Sequence, residues 1–476
     1  MNPTNEVVLG IWDGHDAGAA VSVDGHLLSA VSEERITRLK KQAGFPAGSV
    51  RLVLELSGIA PQQVTRVALA GTTGRLPARL LARGYTARRP QQEDPLGAPA
   101  RLYAAYQNTI AGWPGVRGVE RAGSRLLVAA QLRALGIHAP LSLVDHHTCH
   151  ALTAVAGLDP AKDADALVIT MDGYGDQLCS AVWRWSPRLG QLERLAAQGA
   201  DGSLALLYGG LSTVLGFAPG EEGKVTGLAA AAPSGMAIGP SGIELNALAT
   251  VRDGRIQLDR RRALATLRTA VAAGVDRTEV AAMLQAVVER TVVGVAAFWL
   301  EKTAFSRLAV AGGLFANVSL NGCLAQLDLD EFAVFGAMGD AGLCAGAAFS
   351  VSLPRRPQCA SLHLGPQPNL AAPGLPAAQG PARPEAVAQQ LADGAVVAVC
   401  RGAMEFGPRA LGGRSLLFDA RSTATALQVG AALRRPAFMP FAPLVDVDRW
   451  PQLFDMPLAR VRRCAAEMSI ALPLIN

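Results

Sequence analysis

Three of the seven histidines in the chain lie within five residues, in the run from Asp145 to His150. Imidazole is the commonest metal-binding side chain, and this run lies between a short apolar stretch and a segment that reads as a helix. On a helix, His146 and His150 would share one face and could bind one ion, with a third ligand from elsewhere. A capped helix start with surface imidazoles has the same spacing. Metal binding and a helix terminus therefore both remain open.

Two similar strand and hairpin units flank this run on either side. In the first, the strand Val7–Trp12 leads to the polar turn Asp13–Asp16 and then to a hairpin at Asp24-Gly25. In the second, the strand Ala166–Met171 leads to the turn Asp172–Asp176 and another hairpin. Two copies suggest a duplicated α/β unit, as in the actin and sugar-kinase superfamily, where two halves hold a nucleotide. Two unrelated hairpins are the alternative.

A strand, a glycine pair and a helix follow the long apolar helix predicted for Thr278–Ala304. After the strand Leu308–Ala311, Gly312 and Gly313 would let backbone N–H groups approach an anion, or would serve close packing alone. Asp340, after the next strand, is either the N-cap of a helix or a ligand that faces the cleft.

The C-terminal part begins with a proline-, alanine- and glycine-rich stretch, residues 351–384, which predicts a linker. Beyond the strand Ala395–Cys400, the segment Glu405–Ser415 concentrates glycines with arginines. Arginine forks bind oxyanions, so this segment is either a phosphate site or a solvated glycine-rich loop.

Bulk composition limits the class of protein. A chain of 476 residues that is 50% hydrophobic and 17% charged should form two or three domains. The net charge of +5 comes without a recognition motif, so we expect no nucleic-acid partner. Seven scattered cysteines without a C-x-x-C pair indicate reduced thiols. With no leader pattern and no membrane-spanning apolar run, we expect a soluble cytoplasmic protein, with its oligomeric state open.

Taken in order, the motifs resemble the carbamoyltransferases typified by nodulation and antibiotic O-carbamoylating enzymes. The resemblance spans most of the chain and rests on Gly14–Ala17, Glu33–Arg38, Asp145–Ala151, Asp172–Gly175, Glu222–Ala229, Ala311–Gly313 with Asn317 and Asn321, Gly339–Gly342, Glu405–Ser415 and Phe438–Pro443.

The resemblance implies an α/β fold in two parts. A duplicated actin/sugar-kinase-like domain, similar to the TsaD proteins, would occupy residues 1–350. After the linker 351–384, a smaller, truncated YrdC-like α/β domain would occupy residues 385–476 and form the adenylate.

The implied reaction is an ATP-dependent O-carbamoyl transfer. ATP and carbamoyl phosphate, with Mg²⁺ on the nucleotide, would give a carbamoyl-adenylate, and the carbamoyl group would pass to a hydroxyl of a small natural-product or sugar-like acceptor. The resemblance also implies a metal, usually iron but open to another divalent ion, held by His146, His150 and Asp340. His147 would support this site, and Cys149 is expected to be a packing residue.

The remaining site residues follow from the same resemblance. Transfer from a mixed anhydride needs stabilisation of charge and removal of the acceptor proton, for which His15 with Asp16 is the candidate catalytic pair. Asp13 and Lys40 match acceptor contacts. The expected adenylate-binding residues are Asp172, Gly173, Gly175, Lys224, Gly312, Gly313 and Asn317. The expected adenylation-domain residues are Glu405, Arg409, Arg414 and Arg435.

The C-terminal half departs from the family pattern. Gly413 stands where an asparagine is usual, and within 433–439 only Arg435 is kept of a charged set. The family's long final segment is absent or reduced to 468–476, so we expect a shortened adenylation domain. A non-catalytic or partner-dependent relative that binds only nucleotide and metal is therefore the alternative. A sugar-kinase-type phosphotransferase is disfavoured by the histidine pair and the second domain.

Overall fold

Two five-stranded mixed sheets form the centre of the molecule. The computed structural model describes residues 5–81, 106–107, 110–232, 248–369 and 383–475. The strands within these ranges are β1 Val7–Trp12, β2 Gly18–Val23, β3 His26–Ser32, β4 Arg66–Ala70, β5 Leu141–Val144, β6 Ala166–Gly175, β7 Leu178–Ser186, β8 Gln191–Gln198, β9 Thr250–Arg252, β10 Arg255–Gln257, β11 Arg307–Ala311, β12 Glu331–Val334, β13 Val397–Cys400 and β14 Arg414–Leu417.

The two sheets have the same strand order and the same strand directions. The first sheet runs β3-β2-β1-β4-β5 and the second runs β8-β7-β6-β11-β12. In each, the first strand pairs antiparallel with its hairpin partner and parallel with the strand on its other side. The predicted α/β class is confirmed.

The hairpin at Asp24-Gly25 shows how the sequence sets the local structure. Asp24 has φ 53° and Gly25 has φ 84°. A two-residue hairpin of the type that matches strand twist needs positive φ at both central residues, which Asp and Gly tolerate. All six residues of β1 are buried, because the sheet is covered on both faces.

The helices cover both sheets and fill the space between them. They are α1 Glu34–Thr37, α2 Ala47–Leu56, α3 Leu76–Leu81, α4 Pro114–Ala134, α5 His146–Gly157, α6 Leu204–Val214, α7 Gly223–Ala230, α8 Arg260–Ala272, α9 Arg277–Thr303, α10 Val318–Ala325, α11 Leu343–Ser352, α12 Pro384–Ala392, α13 Thr423–Ala432, α14 Trp450–Leu453 and α15 Leu458–Ala466. Helix α9 is long and apolar enough to cross a membrane, but most of its apolar window is buried in the protein core.

Helices α5 and α11 pack tightly against each other between the two sheets. A Cβ atom on Gly346 of α11 would lie 2.0 Å from the carbonyl oxygen of Cys149 on α5. This contact leaves no room for a side chain. The close approach fixes α5, which carries the histidine run, against the helix that follows Asp340.

Part of the predicted linker lies along the first sheet. Gln358 donates its backbone N–H to Gly25, and the side chains of Cys359 and Leu362 are buried. Residues 370–382 of the linker lie outside the described residues. The domain boundaries remain a prediction.

The C-terminal part divides into an open hairpin and a buried helix. Strands β13 and β14 form a two-stranded sheet, and of helices α12 and α13 only Val429 is buried. Helix α15 instead packs on β12, with Val461 and Cys464 fully buried in the core of the second sheet. The last helix therefore belongs physically to the two-sheet unit.

Candidate metal centre

Helix α5 begins at the histidine run and is anchored there by two carboxylates. Asp145 is its N-cap and accepts a hydrogen bond from the backbone N–H of Thr148 at 2.9 Å. Asp176, in the turn after β6, accepts from the backbone N–H of His146 at 2.8 Å. The same Asp176 carboxylate accepts from the N–H groups of Thr72 and Thr73. It thereby joins one turn from each sheet to the start of the helix.

Four side chains converge at the start of α5. Nε2 of His146 and Nε2 of His150 lie 3.1 Å apart. Oδ2 of Asp172 lies 3.1 Å from the His146 nitrogen, and Oδ1 of Asp340 lies 3.5 Å from the His150 nitrogen. One ligand atom from each of the four residues lies within 4.8 Å of the other three.

This donor set fits a divalent metal ion. Ligand atoms about 2.1 Å from one ion lie roughly 3 to 3.5 Å from one another, close to the separations found here. Two imidazoles with two carboxylates suit a first-row transition metal. His146, His150 and Asp340 are buried, and the Nδ1 atom of His150 is buried without a hydrogen-bond partner among the described residues. The structure thus brings together the three residues expected as metal ligands.

Asp172 is the fourth donor, a role that the sequence analysis did not assign to it. The family resemblance implied that it binds adenylate. The structure places it at the centre of the cluster, where it also accepts the backbone N–H of Gly313 at 3.0 Å. A carboxylate at the end of a strand was the available signal, but its partner Gly313, in the turn after β11, could not be predicted from spacing.

His147 supports the site without facing it. Its Nε2–H donates to the carbonyl of Leu178 at 3.1 Å, and its Nδ1 lies 2.9 Å from the hydroxyl of Thr170. Burial, together with the neighbouring His146 and His150, lowers the pKa of His147 to about 3. The ring is therefore neutral and packed. Cys149 is also fully buried, as expected for a packing residue.

The two carboxylates control the charge of the ligand histidines. Burial opposes protonation of His150, but its hydrogen bonds to Asp172 and Asp340 outweigh burial and raise its pKa to about 9. The pKa of His146 is also raised: burial lowers it, but the charge of Asp340 and the hydrogen bond that His146 donates to Asp172 outweigh this. The pKa of Asp172 stays well below its usual range, because its bonds to both histidines outweigh burial. The raised pKa values reflect the negative charge of Asp172 and Asp340, which would also favour a bound cation.

His15 lies beside this cluster, held between two carboxylates. Its Nε2 is 3.2 Å from Oδ2 of Asp340, and its Nδ1 is 3.0 Å from Oδ2 of Asp16. The charge of Asp340 raises the pKa of His15 and outweighs the partial desolvation of the ring, which lowers it. Burial would raise the pKa of Asp16, but its hydrogen bond to His15 and the charges of Lys41 and Lys40 lower it. The expected catalytic pair thus adjoins the expected metal ligands.

The two expected acceptor contacts differ in their surroundings. Lys40 is exposed and close enough to Asp16 to affect its pKa. Asp13 is fully buried, and both of its carboxylate oxygens bond to Arg79, at 2.8 and 3.0 Å. Since this carboxylate is committed to Arg79, the structure does not support direct contact between Asp13 and an acceptor.

Gly312 and Gly175 are placed where no side chain fits. Gly312 has φ 111°, and a Cβ there would lie 2.1 Å from the carbonyl oxygen of Met171. A Cβ on Gly175 would lie 2.3 Å from the ring of His146. Gly313 donates its N–H to Asp172, as described above. Gly173 has no atom closer than 3.7 Å to an added Cβ. Two of the four glycines, Gly175 and Gly313, therefore contact cluster residues directly.

Asn317 and Lys224 have protein partners that explain their positions. Asn317 caps α10 through the N–H of Leu320 and exchanges hydrogen bonds with Gln285 at 2.8 and 3.1 Å. Nζ of Lys224 lies 2.5 Å from a carboxylate oxygen of Glu221. The Asn317 amide is therefore part of the buried framework beside the glycine pair.

The four expected adenylation residues separate into two pairs. Glu405 and Arg414 hold their own loop. A Glu405 oxygen accepts three backbone N–H groups, from Leu411, Gly413 and Arg414, and the Arg414 guanidinium donates to the carbonyls of Arg401, Gly402, Gly413 and Pro366.

Arg409 and Arg435 form the second pair. The Nε atom of each is buried without a hydrogen-bond partner among the described residues. Burial and the charge of Arg435 lower the pKa of Arg409, which also donates weakly to the carbonyl of Ala316 next to the glycine pair.

Two family descriptions match the sequence. Residues 7–349 match Carbamoyltransferase N-terminus, and residues 388–473 match Carbamoyltransferase C-terminus.

Curated relatives are similar over most of the chain. Nodulation protein NolNO of Sinorhizobium fredii is 28% identical over 94% of this chain and 64% of that protein. Nodulation protein NolO of Bradyrhizobium diazoefficiens is 30% identical over 66% of this chain and 60% of that protein. The chain therefore spans less than two thirds of the length of either relative.

Solved structures show a partial likeness. An activator of 2-hydroxyisocaproyl-CoA dehydratase from Clostridium difficile with bound ADPNP has a TM-score of 0.39 at 10% identity, over 73% of this chain and 94% of that chain. Full-length HypF, in a phosphate- and nucleotide-bound form, has a TM-score of 0.36 at 15% identity, over 73% of this chain and 46% of that chain.

Proposed function

Because the chain belongs to the carbamoyltransferase family, we propose that it is an ATP-dependent O-carbamoyltransferase. It uses carbamoyl phosphate, forms a carbamoyl-adenylate and passes the carbamoyl group to a hydroxyl of a small sugar-like or natural-product acceptor. One observation carries the proposal: the imidazole of His15 lies 3.2 Å from Asp340, a member of the four-residue metal-binding cluster. A proton acceptor and a cation site thus adjoin each other.

The transfer step needs a base, and His15 is placed to be one. The acceptor oxygen attacks the carbonyl carbon, the bond from that carbon to the adenylate oxygen breaks, and AMP leaves. Asp16 accepts the Nδ1–H of His15, and Nε2 is the atom that would take the acceptor proton. A divalent ion, iron by family resemblance, held by the four-residue cluster would compensate the charge of Asp340 that raises the pKa of His15. The same ion would stabilise the developing negative charge on the carbonyl and phosphate oxygens.

The adenylate has a place beside the cluster. Gly312 and Gly313 open a short turn before α10, and an added Cβ on Gly173 would meet no atom closer than 3.7 Å. We assign the phosphate of the adenylate to this turn, with Lys224 of helix α7 as a further contact. The buried bonds of Asn317 and Gln285 make the floor of this region rigid.

Arg409 and Arg435 are the residues we assign to the first half-reaction. In that step ATP, carbamoyl phosphate and water give carbamoyl-adenylate, pyrophosphate and phosphate. The unpartnered Nε atoms of the two arginines would pair with phosphate oxygens, which removes the cost of burying them alone. Glu405 and Arg414 serve this step only by holding the loop that carries Arg409.

The fold assignment is proposed on the same basis. The repeated strand order of the two sheets supports a TsaD-like, actin-superfamily unit. Residues 385–476 would be a shortened YrdC-like region. We also propose a cytoplasmic location and small molecules as partners, with no nucleic acid.

The test is a two-stage assay on the purified full chain loaded with Fe²⁺. Incubation with Mg²⁺-ATP and [¹⁴C]carbamoyl phosphate should release pyrophosphate and form carbamoyl-adenylate, detected by mass spectrometry. A panel of sugars and polyols should then receive label in wild type and not in His15→Ala. Absence of both pyrophosphate and labelled product would refute the proposal. Incorporation of phosphate instead of carbamoyl would indicate a kinase.

One observation favours a partner-dependent relative as the second candidate. Two of the four expected adenylation residues are committed to their own loop, and β13 and β14 form a sheet of only two strands within the described residues. In that case the chain would bind nucleotide and metal but release no pyrophosphate alone. Equilibrium binding of ADP and Co²⁺, measured beside the pyrophosphate assay, distinguishes the two candidates.

A further inference from the structure

We propose that Trp12 is a positioning residue that holds His15 against Asp340 and ties the His15 turn to the metal ligand His146. The catalytic consequence of this inference rests on the proposed function, whereas the coupling itself is a property of the fold. Trp12 is the last residue of β1 and immediately precedes the turn that carries His15.

The indole nitrogen of Trp12 holds the backbone of His15. Its Nε1–H donates to the His15 carbonyl at 2.7 Å, and the Trp12 residue is only 4% exposed. The His15 side chain itself is 50% exposed, so little packing fixes its ring. The ring direction is set by the two flanking carboxylates and by the backbone that the indole anchors. Trp12 therefore acts on His15 through the main chain.

The indole also contacts His146, a member of the four-residue cluster. Its ring centroid lies 5.6 Å from that of His146, at an interplanar angle of 72°, an edge-to-face contact. The guanidinium of Arg75 lies 5.1 Å from the indole centroid. A Cβ on Gly14 would lie 2.0 Å from the indole, so the turn backbone also rests on the ring. A shift of Trp12 would therefore displace both the His15 turn and the His146 ring.

The turn that carries His15 is held by several contacts besides the indole. Asp16 has φ 60°, in the left-handed region that Asp tolerates better than most non-glycine residues. The carbonyl of Asp13 accepts from Arg75 and from the N–H of Gly44, and its carboxylate bonds to Arg79. Among these contacts, the indole also reaches His146.

The chain contains a matched control for the experiment. Trp299 in α9 is 7% exposed, and its Nε1–H donates to the carbonyl of Gly254 at 3.2 Å in the core of the second sheet. Trp12→Phe and Trp299→Phe therefore each remove one buried indole N–H to carbonyl bond. Only the first is next to His15.

The measurement is the rate at which diethyl pyrocarbonate modifies His15 in the metal-free full chain, followed by peptide mass spectrometry. We expect at least a threefold faster modification of His15 in Trp12→Phe, and the wild-type rate in Trp299→Phe, with both variants folded by circular dichroism. In the carbamoyl-transfer assay we expect Trp12→Phe to lower kcat about tenfold while the KM for ATP changes less than twofold.

A second variant covers the case in which Trp12→Phe does not fold. Gly14→Ala keeps the indole and pushes the turn away from it, and it should also speed His15 modification. Wild-type modification rates in both folded variants would overturn the inference. The labelling needs no activity, so a wild-type protein that fails to transfer carbamoyl would refute the proposed function while leaving the Trp12 inference to be decided by labelling.

Discussion

At the scale of single residues, Asp172 is the side chain whose role changed most. Its carboxylate bonds to His146 and to the N–H of Gly313, so it joins the histidine helix to the glycine turn. The carboxylate of Asp172 and its position in the predicted acidic turn indicated that this residue binds a ligand, but did not identify that ligand. Which ligand it binds depends on β11 lying next to β6, a long-range contact that spacing in the sequence does not reveal.

Removing the charge of Asp172 should weaken metal binding. We expect Asp172→Asn to lower the affinity for Co²⁺ at least tenfold, because one of four donors becomes a weaker ligand and the charge that attracts the cation is lost. The change can be followed by the visible absorption of Co²⁺ during titration. Asp165→Asn, which affects an ion pair on the surface, is the control and should bind as wild type. Equal affinities in both variants would remove Asp172 from the ligand set.

The histidine cluster also predicts how stability depends on pH. The pKa of His150 is raised from 6.5 to about 9, so its contribution to the stability of the metal-free fold is complete below pH 6.5 and is lost as the pH rises through 9. The free energy of unfolding should therefore fall across this window, by up to about 3 kcal/mol. His147, whose pKa is lowered to about 3, acts in the opposite direction below pH 6.5.

Urea unfolding of the metal-free protein at several pH values measures this effect. His150→Gln should remove most of the loss of stability at alkaline pH, while the loss of stability at acid pH should remain. Saturation with Co²⁺ should have the same effect, since the bound ion replaces the proton. If His150→Gln loses as much stability at alkaline pH as the wild type, His150 is not the cause of that loss.

At the scale of secondary structure, the position of α5 depends on the turn after β6. Asp176 accepts backbone N–H groups from His146, Thr72 and Thr73. Asp176→Asn should lower the free energy of unfolding by about 2 kcal/mol, because an amide replaces a charged acceptor of several buried N–H groups. Thermal or urea unfolding tests this, with the surface variant Asp165→Asn expected to change stability by less than about 1 kcal/mol. If Asp176→Asn and Asp165→Asn are equally stable, contacts other than those of Asp176 hold the turn after β6 in place.

Local signals predicted most elements, and contacts between distant segments decided the rest. The hairpin at Asp24-Gly25 and the long helix α9 lie where periodicity and turn residues indicate. Asp340 had two interpretations, and the structure places it in a short turn facing the histidines without a side-chain cap bond. The ion pair of Asp13 with Arg79 was not predicted, because a buried pair between the turn after β1 and helix α3 leaves no periodic pattern in the sequence.

At the scale of the whole molecule, helix α15 contacts the segments that carry the proposed metal ligands. Arg463 of α15 donates to the carbonyl of Ala156 near the end of α5 at 2.7 Å. Glu467 accepts from Arg463 at 2.8 Å and from the N–H of Gly336, shortly before Asp340, at 2.6 Å. The final described segment of the chain therefore connects helix α5, which carries the histidines, to the segment that precedes Asp340.

Removal of the Glu467 carboxylate should destabilise the fold. Glu467→Ala should lower the free energy of unfolding by about 2 to 4 kcal/mol, because it leaves Arg463 and the N–H of Gly336 without their buried acceptor. Glu385→Ala, at an exposed site in α12, should change it by less than about 0.5 kcal/mol. A single urea transition followed by fluorescence and circular dichroism gives both values. A wild-type value for Glu467→Ala would show that α15 is loosely attached.

The packing of α15 on β12 has a consequence for engineering. The proline-rich stretch invites division of the gene into two separately expressed fragments, yet the smaller fragment would carry Val461 and Cys464, which complete the core of the larger one. Neither fragment would be self-sufficient. Produced together, they should reassociate through this helix, so the protein is a natural candidate for split-fragment complementation, with recovery of Co²⁺ binding as the signal of reassembly.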